Sequence, residues 1–334
     1  QYALPLVTGG ELLGVKIRRI HLEEDTGRLV HSEDKSLVDF NRAGVPLMEL
    51  VTEPVIKSAE EALRFGRELQ IILRYLDLSE ADMEKGQMRL EANVSLYKKD
   101  GALGDKVELK NINSFKALKN AIDYEVVRQA ELLGKGEKIL QETRGWNEVK
   151  GITFSQRSKE EAHDYRYLPE PDLPLMSFTE ELINELKSVL PELPQAKRAR
   201  FASEYSLPLE QIETIIAERS MAEYFEEAVS ELLTSIDKTD RLKGVTLIAN
   251  YFTSDLIGLI NESRASLSGI KITPHNFAAL AELILKGKIS SRVAKDILRE
   301  MLATGFDPHN IVETQELGQI SDEAVIAAIV EEVM

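Results

Sequence analysis

The chain has 334 residues, of which 43% are hydrophobic and 29% are charged, a balance typical of a globular protein with two or three domains. It contains no cysteine, and this excludes disulfides, a thiolate nucleophile and cysteine-based zinc or iron–sulfur sites. The formal net charge of −16 argues against a protein that clamps nucleic acid over its whole surface, although it leaves a local RNA contact open.

The sequence shows no pattern typical of a membrane or secreted protein. No stretch approaches the roughly 20 consecutive apolar residues that a bilayer-crossing helix needs. The first residues, QYALPLVTGG, lack the charged and then apolar pattern of a signal peptide. We therefore expect a cytoplasmic protein without a membrane contact.

Both ends of the sequence are predicted to be internal to a longer protein. The chain starts within strand-like alternation that is broken by a Gly-Gly turn. Its last residues, ISDEAVIAAIVEEVM, predict a helix with Ser321 as N-cap and without a closing cap.

The first half of the chain predicts a mixture of strands and helices. Alternating apolar and polar residues indicate strands at GVKIRRIHLEE, PLMELVTEP, GQMRLEANVSL and KVELKNINSF, in that order. A helix is predicted at 58–76, where Ser58 and Glu61 have the spacing of a capping box, and another from Ser114 to Leu133. The segment TRGWNEVKGITFSQRS then predicts a hairpin, and DYRYLPEPDLP an irregular loop.

From about residue 179 the strand pattern ends and helices follow one another. We predict them at 179–190, 195–205, 209–218, 220–234, 241–261, 274–286, 291–303 and 321–334. The predicted fold class is therefore α+β. A mainly antiparallel-sheet domain over 1–178 precedes an all-helical domain over 179–312, and a helical tail domain starts at 313–334.

Three consecutive acids, Glu23, Glu24 and Asp25, lie at the end of the first predicted strand. Neighbouring side chains on a strand point in different directions, so at most one or two of these converge on one spot. Glu49 in the second strand is the candidate partner, because a carboxylate between apolar residues is costly unless a cation meets it. Glu24 with Glu49 would form an all-oxygen site of the kind that Mg²⁺ accepts. The alternative is a solvated turn at 23–25 and a Glu49–Arg ion pair.

A second polar set lies on the outward face of the third strand and in the fourth. Its members are Arg89, Asn93, Lys110, Asn111 and Asn113. These residue types bind phosphate and ribose through charge-assisted and amide hydrogen bonds, and a solvated sheet face is the alternative. The common nucleotide sites are excluded, because the sequence has no GxxxxGK[ST], GxGxxG or kinase HRD and DFG motif.

Other chemistry-bearing residues give weaker indications. His21, His31 and His163 lack the spacing of metal ligands, and no GxSxG motif predicts an acyl-transfer nucleophile. The single tryptophan, Trp146, lies beside Arg144 in the predicted hairpin. It either stacks on a base or packs at the edge of the sheet.

Six segments together resemble one protein family, in the same order and at compatible spacing. They are HLEEDTGRLVH, SLVDFNRAGVPLMELVTEP, MRLEANVSL, ELKNINSF, QETR and DYRYLPEPD. The family is the B subunit of the aspartyl/glutamyl-tRNA amidotransferase. The helical half is similar to that family through ITPHNFAALAELILKGKISSRVAKDIL and QISDEAVIAAIVEEV, so the resemblance covers essentially the whole chain.

The resemblance implies an α+β cradle domain, a helical domain and the first helix of a YqeY-like tail domain. It also implies an ATP-dependent and Mg²⁺-dependent amidation in two steps. The side-chain carboxylate of Glu or Asp mischarged on tRNA(Gln) or tRNA(Asn) is phosphorylated and then attacked by ammonia. The ammonia would come from a separate glutaminase, the amidase A subunit, in a heterotrimer that includes a small C subunit.

The resemblance also assigns residues. The family's metal-binding and catalytic acids fall on Glu24 in HLEED and Glu49 in PLMEL. Further metal ligands of the family lie in an N-terminal Gly-Leu-Glu-Val-His motif that has no counterpart in this sequence. The ATP and acyl-phosphate pocket would be lined by Arg89, Asn93, Lys110 and Asn111.

The competing hypothesis is a noncatalytic tRNA-binding scaffold, in which Glu24 and Glu49 are ordinary surface ions. The family's helical and tail domains contact tRNA, and recognition by shape needs only a few basic side chains. Candidates around one predicted interhelical turn are Lys286, Lys288, Arg292, Lys295 and Arg299, for which a solvated face is an equal alternative. The choice between Glu-tRNA and Asp-tRNA stays open.

Overall fold

The computed structural model describes residues 4–318 apart from 33–34, 99–100, 159–175, 264 and 266. The chain divides into two compact units, Gln1–Leu190 and Pro191–Met334. The first unit combines sheets with helices and the second is helical, which confirms the predicted α+β class followed by a helical region. The expected terminal helix at 321–334 and the DYRYLPEPD segment lie outside the described residues.

One long strand, β3 (Val15–Glu24), organises the first sheet. Two short strands, β1 (Val7–Thr8) and β2 (Glu11–Leu12), pair antiparallel with it, and β6 (Pro46–Thr52) pairs antiparallel with it from Ile17 to Glu24. Both predicted strands of this region are therefore present. A separate hairpin, which was not predicted, is formed by β4 (Arg28–Ser32) and β5 (Lys35–Asp39).

The second sheet has four strands in the order β10, β9, β8, β7. They are β7 (Leu90–Val94), β8 (Val107–Ile112), β9 (Glu142–Asn147) and β10 (Ile152–Ser158). The β7–β8 and β9–β10 pairs are antiparallel, whereas β8 and β9 are parallel. The parallel pair requires a crossover between its strands, which a helix supplies.

Two helices of the first unit begin at the predicted caps. In α1 (Ala59–Tyr75), the Ser58 hydroxyl accepts the Glu61 N–H at 3.1 Å, and the Glu61 carboxylate accepts the Lys57 N–H at 2.7 Å. The crossover helix, α2 (Phe115–Gly134), is capped by Ser114. Its apolar face shares a core with the second sheet, formed by Val94, Val107, Leu109, Ile112, Ala117, Leu118, Ala121, Ile139 and Trp146. A third helix, α3 (Glu180–Val189), follows.

The second unit is built from helices in nearly the predicted order. They are α4 (Pro194–Tyr205), α5 (Leu209–Ile215), α6 (Arg219–Ser235), α7 (Arg241–Asn250), α8 (Ile257–Ser263), α9 (Pro274–Leu285), α10 (Ser291–Thr304) and α11 (Pro308–Thr314). The predicted helix at 241–261 contains a π-helical segment, Tyr251–Leu256, between α7 and α8. The short α11 was not predicted. In the part of the chain that the structure describes, no helix is long and apolar enough to cross a membrane.

A row of phenylalanine rings runs through the core of the second unit. Ring centroids lie 5.7 Å apart for Phe201 and Phe225, 5.8 Å for Phe225 and Phe252, and 6.3 Å for Phe252 and Phe277. All four side chains are buried. Burial of each such ring contributes roughly 1.5–3 kcal/mol relative to exposure, so the row holds α4, α6, the π-helical segment and α9 together.

Candidate functional site

The pairing of β3 with β6 decides where the consecutive acids point. Directly opposite residues in an antiparallel pair share a face, and successive residues alternate between faces. The register pairs His21 with Glu49, Glu23 with Leu47 and Glu24 with Pro46. His21, Glu23 and Glu49 therefore share one face of this ribbon, and Glu24 lies on the other.

The shared face holds a carboxyl–carboxyl contact. Glu23 is partly buried, and Glu49 is exposed. Burial raises the pKa of Glu23 above its ordinary value, and the charge of Glu49 and a hydrogen bond between the two side chains raise it further. A divalent cation between the two side chains would neutralise both carboxylates and so remove their mutual repulsion.

The expected meeting of Glu24 with Glu49 does not fit this register, and Glu23 takes the position beside Glu49. The reason is strand parity, since a shift by one residue moves a side chain to the opposite face. Glu24 is exposed on that opposite face. The sequence pattern could not have separated the two acids, because alternation within one strand does not say which face lies opposite Glu49.

The third acid of the run, Asp25, is held by two arginines. Its Oδ2 atom lies 2.8 Å from Arg42 Nε and 3.7 Å from Arg89 Nη2. Arg89 comes directly before β7, so this ion pair joins the start of the second sheet to the end of β3. The three consecutive acids thus have three different surroundings: Glu23 lies beside Glu49, Glu24 is exposed, and Asp25 is paired with two arginines.

The two carboxylates of Glu23 and Glu49 suit a magnesium site better than a site in which protein side chains supply every metal ligand. In residues 4–318, as far as they are described, no three His, Cys, Asp or Glu side chains form a group that could hold a metal ion. Mg²⁺ does not need one, because it keeps several waters and binds through one or two carboxylates and substrate phosphates. Two neighbouring carboxylates therefore fit an ion whose other ligands are water and nucleotide oxygens.

The second polar set lies on the outer face of the second sheet. Lys110 Nζ lies 3.1 Å from Glu91 Oε1 and 3.7 Å from Glu108 Oε1, and Thr143 donates to Glu108 Oε2 at 2.8 Å. Asn93 is opposite Glu108 and shares this face. The structure thus brings Asn93 and Lys110 to one surface, together with carboxylates that were not predicted to take part.

A bulge explains the asparagine at position 111. Between the Leu90–Ile112 and Ala92–Leu109 pairs, β8 has one more residue than β7. Asn111 lies in this bulge and has a φ of +61°. Asparagine tolerates this left-handed conformation better than most residues do. Bulges change the direction of side chains beside functional sites, and this one lies next to Lys110.

Comparisons with known proteins identify the family. A family model described as the GatB/GatE catalytic domain matches residues 1–184, and a model described as the GatB domain matches residues 223–334. A relative from Persephonella marina, the B subunit of the aspartyl/glutamyl-tRNA(Asn/Gln) amidotransferase, is 44% identical over 100% of this chain and 70% of its own length. The chain belongs to this B-subunit family.

Further relatives of the same name show the same likeness. The Rickettsia conorii protein is 44% identical over 97% of this chain and 65% of its own length. The Caldanaerobacter subterraneus protein is 42% identical over 100% of this chain and 70% of its own length. The chain thus spans between 65% and 70% of these relatives, and the resemblance to the B-subunit family is confirmed. The catalytic-domain match covers both sheets of the first unit.

The structure also shows the neighbours of Trp146 and of the basic candidates for tRNA contact. Trp146 is only 8% exposed and meets the Tyr124 ring edge-on at 6.3 Å, so it packs in the core. In the helical unit, Lys286 pairs with a glutamate of α9, Lys295 lies 2.7 Å from Asp255, and Arg299 lies 2.9 Å from Asp296. Three of the five basic candidates for tRNA contact therefore have acidic neighbours.

Proposed function

We propose that the chain is the component of an ATP-dependent amidotransferase that activates and amidates Glu mischarged on tRNA(Gln), or Asp mischarged on tRNA(Asn). The name of its relatives, the B subunit of the aspartyl/glutamyl-tRNA(Asn/Gln) amidotransferase, supports this class of reaction. The observation that carries the proposal is the carboxyl pair of Glu23 and Glu49, within the segment that matches the catalytic-domain model.

The chemistry requires activation because a carboxylate is a poor electrophile at neutral pH. The carboxylate oxygen attacks the γ-phosphorus of ATP, the bond to ADP breaks, and an acyl phosphate forms. Ammonia then attacks the acyl carbon, phosphate leaves with its bonding electrons, and the amide remains after loss of a proton. Bound Mg²⁺ would supply charge neutralisation at the nucleotide phosphates.

Different residues of the chain would bind the metal ion and the nucleotide. Glu23 and Glu49 would hold the magnesium ion, because they place two carboxylates side by side on one face of the ribbon. Lys110 and Asn93 bind the nucleotide on the outer face of the second sheet. Lys110 exchanges one of its two carboxylate neighbours for a phosphate oxygen. Arg89 precedes β7 of the second sheet and forms an ion pair with Asp25 at the end of β3. It therefore links the metal-binding pair to the nucleotide-binding residues.

We propose two protein partners and one RNA partner. The sequence contains no cysteine, and the site offers carboxylates, amides and basic groups rather than a nucleophile that could open glutamine. In line with this inventory, the resemblance to the B-subunit family implies that a glutaminase, the amidase A subunit, delivers the ammonia and that a small C subunit completes a heterotrimer. Mischarged tRNA supplies the carboxylate.

The test compares three carboxylate variants in the full-length protein with its partner subunits. Mischarged Glu-tRNA, ATP and Mg²⁺ are supplied, and the acyl phosphate and the amide are measured for wild type, Glu23→Gln, Glu49→Gln and Glu24→Gln. We expect the first two variants to lose at least about 100-fold in kcat/KM, because each removes a metal ligand. Glu24→Gln is the matched control and should stay within a few-fold of wild type.

The scaffold hypothesis makes the opposite prediction. If Glu23→Gln and Glu49→Gln both retain wild-type activity, the chain only orients tRNA and the catalytic proposal fails. Equal losses of kcat/KM in Glu23→Gln and Glu24→Gln would instead contradict the conclusion that only Glu23 lies on the face of Glu49.

A further inference from the structure

A buried ionic network lies behind the second sheet, between α2 and the hairpin of β9 and β10. Its four charged members are Glu125 and Arg128 on α2 and Glu142 and Arg144 on β9. Glu125 is fully buried, and the side chains of the other three are between 12% and 19% exposed. Buried charges are costly unless each one is paired, and here two carboxylates balance two guanidinium groups.

Glu125 is the centre of this network. Arg128 donates to it from Nε at 2.9 Å and from Nη2 at 2.6 Å, and Gln129 donates from Nε2 at 2.9 Å. The Thr153 hydroxyl donates at 3.2 Å, and Arg144 Nε lies 3.8 Å away. Both carboxylate oxygens are therefore used, by neighbours on its own helix and by β9 and β10.

Arg144 connects this centre to the hairpin. Its Nε donates to the Thr153 hydroxyl at 2.9 Å, its Nη2 to the Thr153 carbonyl at 2.9 Å, and its Nη1 to Glu142 at 2.6 Å. The Thr153 hydroxyl thus accepts from Arg144 and donates to Glu125, and it bridges the two charges. Ser155 donates to the other oxygen of Glu142. The hairpin is tied to α2 by directional bonds as well as by apolar packing.

The backbone of β9 connects the network to the outer face of the second sheet, where Asn93 and Lys110 lie. Arg144 points inward and its neighbour Thr143 points outward, because successive residues on a strand alternate. The Thr143 hydroxyl donates to Glu108 at 2.8 Å, and Glu108 lies 3.7 Å from Lys110 Nζ. Arg144 is therefore adjacent in the chain to the residue that hydrogen-bonds the Glu108 carboxylate beside Lys110, and a displacement of Arg144 would be passed on to that carboxylate.

A second connection reaches the same face through β7. Gln129 Nε2, which also donates to Glu125, donates to the Val94 carbonyl at 3.1 Å. Val94 ends β7 and follows Asn93, which points to the outer face. The network therefore contacts the backbone directly behind both Asn93 and the neighbours of Lys110.

We propose that Glu125 is a positioning residue that holds Asn93 and Lys110 in the arrangement that binds the nucleotide. The inference rests on the proposed function. Apolar side chains such as Leu118 already pack α2 against the sheet. The ionic network is therefore not needed merely to keep the helix on the sheet. Hydrogen bonds of fixed direction select one placement of β7 and β9, and nucleotide binding depends on that placement.

The test measures KM for ATP and for mischarged tRNA in the full-length heterotrimer. Glu125→Gln keeps the shape of the side chain and removes its charge. We expect KM for ATP to rise about tenfold, since small displacements of binding groups have effects of this order, and KM for tRNA to stay within about twofold. A merely structural role would reduce the amount of folded enzyme and thus the maximal rate, while both KM values stayed the same.

Two further variants complete the test. Thr153→Val removes the hydroxyl bridge with little change of shape, and it should raise KM for ATP in the same direction even if Glu125→Gln does not fold. Leu118→Ala, on the same helix and in the same core, should lower the melting temperature without changing KM for ATP.

The outcomes separate the inference from the proposed function. An unchanged KM for ATP in the folded network variants, or an equal rise in Leu118→Ala, would overturn the positioning role. A wild-type heterotrimer whose activity does not depend on ATP would overturn the proposed function itself.

Discussion

Replacement of Glu23 by Gln should stabilise the protein when no divalent cation is present. Glu23 lies opposite Leu47 on the neighbouring strand, and Glu49 is two residues further along. Burial raises the pKa of Glu23, and the charge of the neighbouring Glu49 carboxylate raises it further. Glutamine has nearly the same shape, carries no charge and can donate a hydrogen bond to the Glu49 carboxylate. The substitution therefore turns a repulsive contact into an attractive one.

The size of the effect follows from the separation and the surroundings. Residues in this diagonal relation lie about 7–8 Å apart, and long side chains such as those of glutamate reach across that distance. Two unit charges about 5 Å apart repel by roughly 3 kcal/mol at an effective dielectric constant of about 20, and by roughly 1 kcal/mol in water. Glu49 is exposed and Glu23 only partly buried, so the lower value applies. We expect a gain of about 1 kcal/mol in the free energy of unfolding.

Urea denaturation followed by tryptophan fluorescence measures this gain. Trp146 is the single tryptophan and lies in the core of the first unit, so its emission reports on that unit. In EDTA at pH 8, Glu23→Gln should unfold at higher urea than wild type. Added Mg²⁺ should stabilise wild type but not the variant, because a ligand stabilises only the state that binds it.

Glu24→Gln is the matched control for this experiment. It removes one negative charge from the neighbouring position on the other face, and it should change stability by less than about 0.5 kcal/mol. A gain in Glu24→Gln with none in Glu23→Gln would refute the assignment of faces. A response to Mg²⁺ that survives in Glu23→Gln would refute the metal site.

Other parts of the structure give three further predictions. Hydrogen bonds from Arg200 hold the pKa of Glu192 below its ordinary value, so this carboxylate stabilises the second unit above the ordinary carboxyl pKa and loses that effect as pH falls through the lowered one. Calorimetry from pH 6 to about pH 3 should show a smaller decline in Glu192→Gln, and an equal decline would contradict it. Phe225→Ala should cost about 3–5 kcal/mol in urea denaturation, because Phe225 is fully buried between two other phenylalanine rings; a loss below about 1 kcal/mol would contradict that packing. Ser114→Ala removes the N-cap of α2 and should cost about 1 kcal/mol by Trp146 fluorescence, with recovery expected in Ser114→Thr.

Local periodicity was sufficient for most of the secondary structure. Alternation marked β3 and β6, and apolar spacing with capping residues marked α1 and the long helices of the second unit. The misses have a common cause. The strands β4 and β5 and the helix α11 have only five to seven residues each, which is too few for a repeated apolar pattern to mark them. The parallel pairing of β8 with β9 is a property of chain topology and leaves no local mark.

The sequence by itself determined which chemical groups are available at the candidate site. It showed three adjacent acids, a distant Glu49, and basic and amide side chains on two strands, and their order indicated the family. Only the tertiary structure decided which groups meet. The register of β3 against β6 places Glu23, not Glu24, beside Glu49, and Asp25 takes its partners from Arg42 and Arg89. The physical reason is that strand pairing is set by the summed burial and hydrogen bonding of both strands, whereas a shift of one residue exchanges every contact while the composition stays the same.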